Sequence, residues 1–149
     1  DADVLSRCHS RSEIVQTYLL RTGQGKSSRV RSRTSGGDTV YTHTEKQHIT
    51  DMTRIENERI ISEKEYGELL KTADPERNVI YKTRYCLDYK GQEFEIDIFP
   101  FWNDKAVMEL ELEEESQTIE FPPCVQVLRE LTGDKRYTNA ALAKCIPEE

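Results

Sequence analysis

The 149-residue chain carries 21 Lys and Arg against 28 Asp and Glu, a net charge of −7, and only 36% of it is hydrophobic. One domain is the natural reading of that length, lean in apolar residues but able to close one core. No apolar stretch approaches the roughly 18 residues of a membrane span, no secretory signal opens the chain, and the acidic balance disfavours non-specific nucleic-acid binding. Cys8, Cys86, Cys124 and Cys145 lie far apart without a CxxC, which favours reduced thiols and a cytoplasmic setting. His9, His43 and His48 have no metal-ligand spacing and read as surface or strand residues.

In chain order, the opening residues up to Arg11 show weak helical periodicity around Val4 and Leu5. Glu13–Leu20 is rich in β-formers and predicts a strand. Gly23–Lys26 lacks P-loop spacing and reads as a turn. Arg29–Arg33 alternates strictly, Gly36-Gly37-Asp38 predicts a hairpin turn, and Thr39–His48 and Arg54–Ile61 alternate again. The period then changes. Ser62 is placed to cap a helix over Glu63–Thr72, with Glu65 at the capping-box position. Val79–Leu87, Glu93–Phe99 and Ala106–Glu113 predict strands, the first two joined by a turn at Tyr89–Gln92. Pro122-Pro123 predicts a helix running to about Leu131, and Thr138 a capped helix over Asn139–Lys144. Seven strands with short connections predict an α+β fold, mainly antiparallel β, curled into a barrel with helices outside.

Side chains at i and i+2 on a strand share a face. By that rule Arg29, Arg31 and Arg33 lie together, as do Glu56 and Glu58, Lys82 and Arg84, Glu95 and Asp97, and Glu109, Glu111 and Glu113. Lys46 ends the face of Thr42 and Thr44. The opposite faces are mostly apolar: Val30, Ile55, Tyr85, Phe94, Ile96, Leu110. Two readings fit. The charged face is the wet side of an amphipathic sheet, or it lines a polar tunnel. Segregation of sign by strand favours the tunnel. Its arginines and lysines would neutralise a polyphosphate, and its carboxylates would suit Mg²⁺ or Mn²⁺.

The ordered series RVRSR, THTEK, RIENERI, KTRY, EFEIDIF, MELELE and LTGDKRYTNAALA resembles the CYTH, or triphosphate-tunnel, superfamily over about Glu13 to Ala143. YTHTEK and DIFPFWNDKA are most similar to the tunnel domain linked to a P-loop kinase-like domain, as in TRPL-translocation-defect-like proteins. The resemblance implies an eight-stranded tunnel. It implies phosphate binding by Arg29, Arg31, Lys46, Arg54, Lys82 and Arg84. It implies metal binding by Glu109 and Glu111 with Glu58 or Asp97, and a tunnel lining completed by Glu56, Glu95, Arg33 and Glu113. No general base is assigned. Tyr137 and Asn139 fall in a C-terminal packing motif. The family's first strand, ExExK, has no counterpart before the opening helix, so 1–149 is expected to be a single tunnel domain lacking that strand. The expected activity is metal-dependent triphosphate hydrolysis. The alternative is a non-catalytic module that binds a nucleotide or an anionic lipid headgroup such as phosphatidic acid, beside a P-loop domain.

Overall fold

The structure is a computed structural model that describes residues 2–50, 53–114 and 116–148. The elements run α1 (Ala2–Ser6), β1 (Ser10–Tyr18), β2 (Lys26–Ser35), β3 (Asp38–Thr50), β4 (Thr53–Ile61), α2 (Glu63–Leu70), β5 (Ile80–Tyr89), β6 (Gln92–Ile98), β7 (Val107–Leu110) and α3 (Asn139–Leu142), with a 3-10 turn at Lys135–Tyr137. The fold is α+β and mainly antiparallel, and the strand order is β4-β3-β2-β1-β5-β6-β7. All seven predicted strands are present among the described residues, with ends shifted by a few positions. The chain divides into two compact units. The first comprises Asp1–Glu13 and Lys82–Thr132, and the second Ile14–Tyr81 and Gly133–Glu149.

In the second unit, Gly36 and Gly37 both take positive φ, at 59° and 87°. That is the twist a two-residue hairpin turn needs, and glycine adopts it without steric cost. The turn pins Ser35 against Asp38, and the register then runs Arg33↔Val40, Arg31↔Thr42, Arg29↔Thr44 and Ser27↔Lys46. β4 continues it with Thr44↔Glu58, Lys46↔Glu56 and His48↔Arg54. Residues directly opposite share a face, so the three strands present Arg29, Arg31, Lys46, Thr44, Glu56, Glu58 and Arg54 on one side. The other side buries Val30, Leu19 and Ile61 under Tyr41 and under Tyr66, Leu69 and Leu70 of α2. Ser62 starts α2 as expected, its hydroxyl accepting from the Glu65 amide.

In the first unit, the turn at Lys90 and Gly91 (φ 49° and 73°) sets Tyr89↔Gln92, and with it Leu87↔Phe94, Cys86↔Glu95, Tyr85↔Ile96 and Arg84↔Asp97. β7 adds Glu95↔Glu109 and Ile96↔Met108. Leu87, Phe94 and Ile96 form the core, joined by Val4 and Cys8 from the α1 segment. The charges occupy the opposite face.

Two predicted elements differ. Residues 122–131 hold no helix; a single turn closes from the Val125 amide to the Pro122 carbonyl. Phe121 precedes the prolines and offers no side-chain acceptor for a cap, while Val125 and Val127 are poor helix formers, so nothing offsets nucleation. β7 ends at Leu110 instead of Glu113. The like pair Glu95↔Glu109 is tolerated inside the ladder because Arg84 pairs Glu95, whereas one more step would add a second like pair, Glu111 opposite Glu93. Among the described residues, no helix is long and apolar enough to cross a membrane.

Candidate functional site

The second unit contains a cavity of ≈ 250 Å³ lined by Arg29, Lys46, Arg21 and Arg77, with Tyr18, Ser27, Ser28, Thr44, Thr138, Asn139 and Ala140. Among the described residues, four cations face it and no carboxylate does. The Arg29 Nε is buried and makes no hydrogen bond among the described residues. Lys46 has Glu56 at 3.9 Å, an ion pair too long to be a hydrogen bond. Burial lowers the Lys46 pKa, and the neighbouring charges of Arg29, Arg54 and Arg31 lower it further, against the opposing pull of Glu56. Burial and the neighbouring arginines together outweigh Glu56, so Lys46 sits in a positive potential that Glu56 offsets only in part.

A buried network supports the cavity from β1. Arg31 donates from Nε and Nη2 to Gln16 Oε1, at 3.1 and 2.9 Å. Gln16 Nε2 donates to the Tyr18 hydroxyl at 2.7 Å. The Arg77 guanidinium stands over the Tyr18 ring, 5.2 Å from its centroid. Gln16 and Tyr18 share parity on β1, so the i, i+2 rule places them together. Arg77 lies in an irregular segment that carries no such signal. Asn139 has the α3 position expected of a packing motif, yet it lines the cavity as well.

The remaining second-unit candidates sit at the margin of this group. Glu58 accepts the Thr44 hydroxyl at 2.9 Å. Arg54 is exposed opposite His48, and Arg33 is half-buried opposite Val40, two rows from Arg29. His43 is buried on the α2 side beside the Ser28 hydroxyl at 2.7 Å, away from the row of Arg29 and Lys46.

In the first unit the basic candidates are already paired. Lys82 Nζ donates to Asp97 Oδ2 at 2.8 Å. Arg84 grips the same carboxylate at both oxygens, from Nε at 2.8 Å and Nη2 at 3.0 Å, and reaches Glu95 with Nη1 at 2.8 Å. Burial pushes the Asp97 carboxyl up, but the hydrogen bonds from Arg84 and the charge of Lys82 outweigh it and hold the group below the ordinary carboxylate range. The hydrogen bond to Asp97 keeps Arg84 firmly charged against its own burial.

Beside this cluster, Glu93, Glu95, Glu109, Glu111 and Leu110 line a cavity of ≈ 600 Å³. Its donors are hard carboxylate oxygens, the type Mg²⁺ and Mn²⁺ take, so the set fits a divalent ion. Glu95 is engaged by Arg84, which leaves Glu93, Glu109 and Glu111 as the available ligands. Asp97 shares the unit, but both its oxygens are occupied, and Glu58 belongs to the other unit. Glu113 lies beyond β7, with its backbone amide on Gln117. His9, Asp88 and Glu93 also converge, one ligand atom of each within 4.8 Å of the others. The Asp88↔Glu93 pair and the His9 amide bound to the Cys86 carbonyl make that group, which is why linear spacing does not reveal it.

No family model matches the chain. It is similar to an inorganic triphosphatase of Acetivibrio thermocellus, 36% identical over 96 residues that cover 64% of this chain and 60% of that protein. The chain thus spans about 60% of the length of the curated relative it matches. The crystal structure of the inorganic triphosphatase NE1496 superposes with a TM-score of 0.62 at 30% identity, covering 93% of this chain and 85% of that one. The PH1819 protein of Pyrococcus horikoshii OT3 shares the fold at a TM-score of 0.53 and 19% identity, over 76% of this chain and 72% of its own. Strand faces sorted by charge, a carboxylate-free basic cavity and a relative 30% identical across most of both chains lead to one conclusion: the chain belongs to the CYTH, triphosphate-tunnel superfamily.

Proposed function

We propose that this chain binds a triphosphate and, with Mg²⁺ or Mn²⁺, hydrolyses it as part of the complete protein. The observation that carries the reading is the second unit's cavity, where Arg29, Lys46, Arg21 and Arg77 face one space without a carboxylate. Four cations gathered on one space repel one another, and a polyanion is the ligand that relieves that repulsion. Arg29 offers a guanidinium fork suited to two phosphate oxygens, and Lys46 a point charge. Gln16 and Tyr18 fix Arg31 from below, so its position does not depend on the ligand. Arg84 and Lys82 are phosphate ligands in this reading only where the polyphosphate competes with Asp97 for them.

Glu109 and Glu111, with Glu93, would hold the divalent ion. When bound, that ion would polarise a phosphoryl group and help a water attack it. Water adds to phosphorus, one P–O–P bond breaks, and orthophosphate leaves with pyrophosphate. The chain's cations offset the charge that builds on the bridging oxygen. Purified protein incubated with tripolyphosphate should release phosphate in Mg²⁺ or Mn²⁺ and none in EDTA. Neither binding nor release in any of these conditions would sink the proposal.

A second reading is favoured by the same cavity's lack of carboxylates, because anion binding there needs no metal. On that reading the site holds a nucleotide or a phosphatidic acid headgroup without turnover, next to a P-loop kinase-like domain. Metal-independent binding without product release would select it.

A further inference from the structure

We propose that Arg77 is a phosphate-contacting residue of the basic cavity that selects for longer polyphosphates. The inference rests on the phosphate-binding reading given above.

The Arg77 side chain is only 8% exposed. Its Nε is buried without a hydrogen-bond partner among the described residues, although Asp74 Oδ2 stands 3.6 Å away. Buried guanidinium donors are nearly always hydrogen-bonded. An arginine whose buried Nε meets its carboxylate at ion-pair distance without a hydrogen bond is poised for another acceptor. Arg77 lines the cavity with Arg29 and Lys46, where a phosphate oxygen would be that acceptor.

The side chain is also held in place. Tyr18 supports one face of the guanidinium. The loop that carries it is pinned at several points. The Asp74 amide donates to the Tyr18 carbonyl at 2.9 Å, the Glu76 amide to Asp74 Oδ1 at 3.0 Å, and the Asn78 amide to the Ala143 carbonyl at 2.7 Å. A ligand would therefore not have to order it, which reduces the entropy cost of binding.

Its origin suggests what it selects. Arg29 and Lys46 project from adjacent strands, in neighbouring rows of one sheet face. Arg77 enters from the segment after α2. A short polyphosphate can satisfy the strand pair alone, and a ligand that also reaches Arg77 needs further phosphoryl groups.

The test titrates tripolyphosphate and pyrophosphate calorimetrically into the 149-residue chain in EDTA. Wild type is compared with Arg77→Gln, Arg77→Lys and Arg29→Met, and each Tm is recorded. Arg77→Gln should weaken tripolyphosphate about tenfold or more, as expected for one lost charged hydrogen bond, and pyrophosphate much less. Arg77→Lys keeps the charge beside Asp74 but loses the fork, and should show the same bias in smaller measure at a near wild-type Tm. If Arg77→Gln does not fold, Arg77→Lys decides alone. Arg77 variants that lower Tm while leaving the tripolyphosphate-to-pyrophosphate affinity ratio unchanged would assign Arg77 to loop anchoring and overturn the inference. Weakening by Arg29→Met with no effect of the Arg77 variants overturns it alone. Absence of wild-type binding removes the phosphate-binding reading and this inference together.

Discussion

In the first unit, Lys82 and Arg84 close on Asp97 and Glu95 at 2.8 to 3.0 Å. In the second, among the described residues, Arg29 has no hydrogen-bond partner for its buried Nε, and Lys46 has a carboxylate at 3.9 Å. Both units carry a basic pair on a strand face, in the patterns RxR and KxR. What differs is the strand that lies opposite. β6 supplies acids to β5, whereas β3 supplies Thr42 and Thr44 to β2. The same residue types therefore stand in different surroundings. Lys82 and Arg84 are engaged by acids, while Arg29 and Lys46 line the cavity in which we propose that an anion binds.

Removing an acid from the first unit is the harshest way to probe this contrast. Asp97→Asn removes the buried carboxylate that Lys82 and Arg84 share and should cost about 3–5 kcal/mol, read as a lower urea midpoint. The wild-type acid limb should show the same group. Because the folded Asp97 pKa lies below its unfolded value, its stabilisation is present above about pH 4 and fades as pH falls through the folded value. Asp97→Asn should remove that part of the acid dependence.

The matching change in the second unit should do the opposite. Arg29→Met keeps the stem and removes a half-buried guanidinium whose Nε makes no hydrogen bond among the described residues, so the urea midpoint should hold or rise. Tripolyphosphate affinity should fall by about 10- to 100-fold, the range of one or two charged hydrogen bonds. A destabilised Arg29→Met with unaltered binding would erase the distinction between the units.

A smaller effect lies in protons. The folded Lys46 pKa is lowered, so at alkaline pH below the ordinary lysine value near 10.4 part of the population is neutral. The sign follows: stability rises as pH climbs through the folded value, and anion binding there should draw protons in. Calorimetry in two buffers of different ionisation enthalpy should register an uptake of a fraction of a proton per tripolyphosphate, absent in Lys46→Arg. The mildest effect on folding is expected from Glu109→Gln with Glu111→Gln. Both residues are exposed, so the urea midpoint should stay within error, while the response of the protein to Mn²⁺ diminishes.

Much of this arrangement is legible in the sequence. Period-2 alternation places Arg29 and Arg31 opposite Val30, and the Ser62 cap announces α2. The pairing of Arg84 with Asp97 is latent there too, because counting outward from the turn at Lys90-Gly91 brings them opposite. Reading each strand alone hides it, and so makes Lys82 and Arg84 look as available as Arg29. Arg77 is not legible, because it follows an Asp-Pro turn where no period applies and only the folded loop brings it over Tyr18. Asn139 is masked by its own local role, since a capped helix already explains it. The predicted helix at 122–131 fails where proline position is weighed without asking what would cap it.

The central claim is that the cations lining the second unit's cavity are the phosphate site. A crystal structure of the chain soaked with tripolyphosphate tests it most directly. The account predicts phosphate density against Arg29 and Lys46, with Lys82 and Arg84 still closed on Asp97. Phosphate bound to Lys82 and Arg84 with the cavity at Arg29 and Lys46 left empty would contradict it.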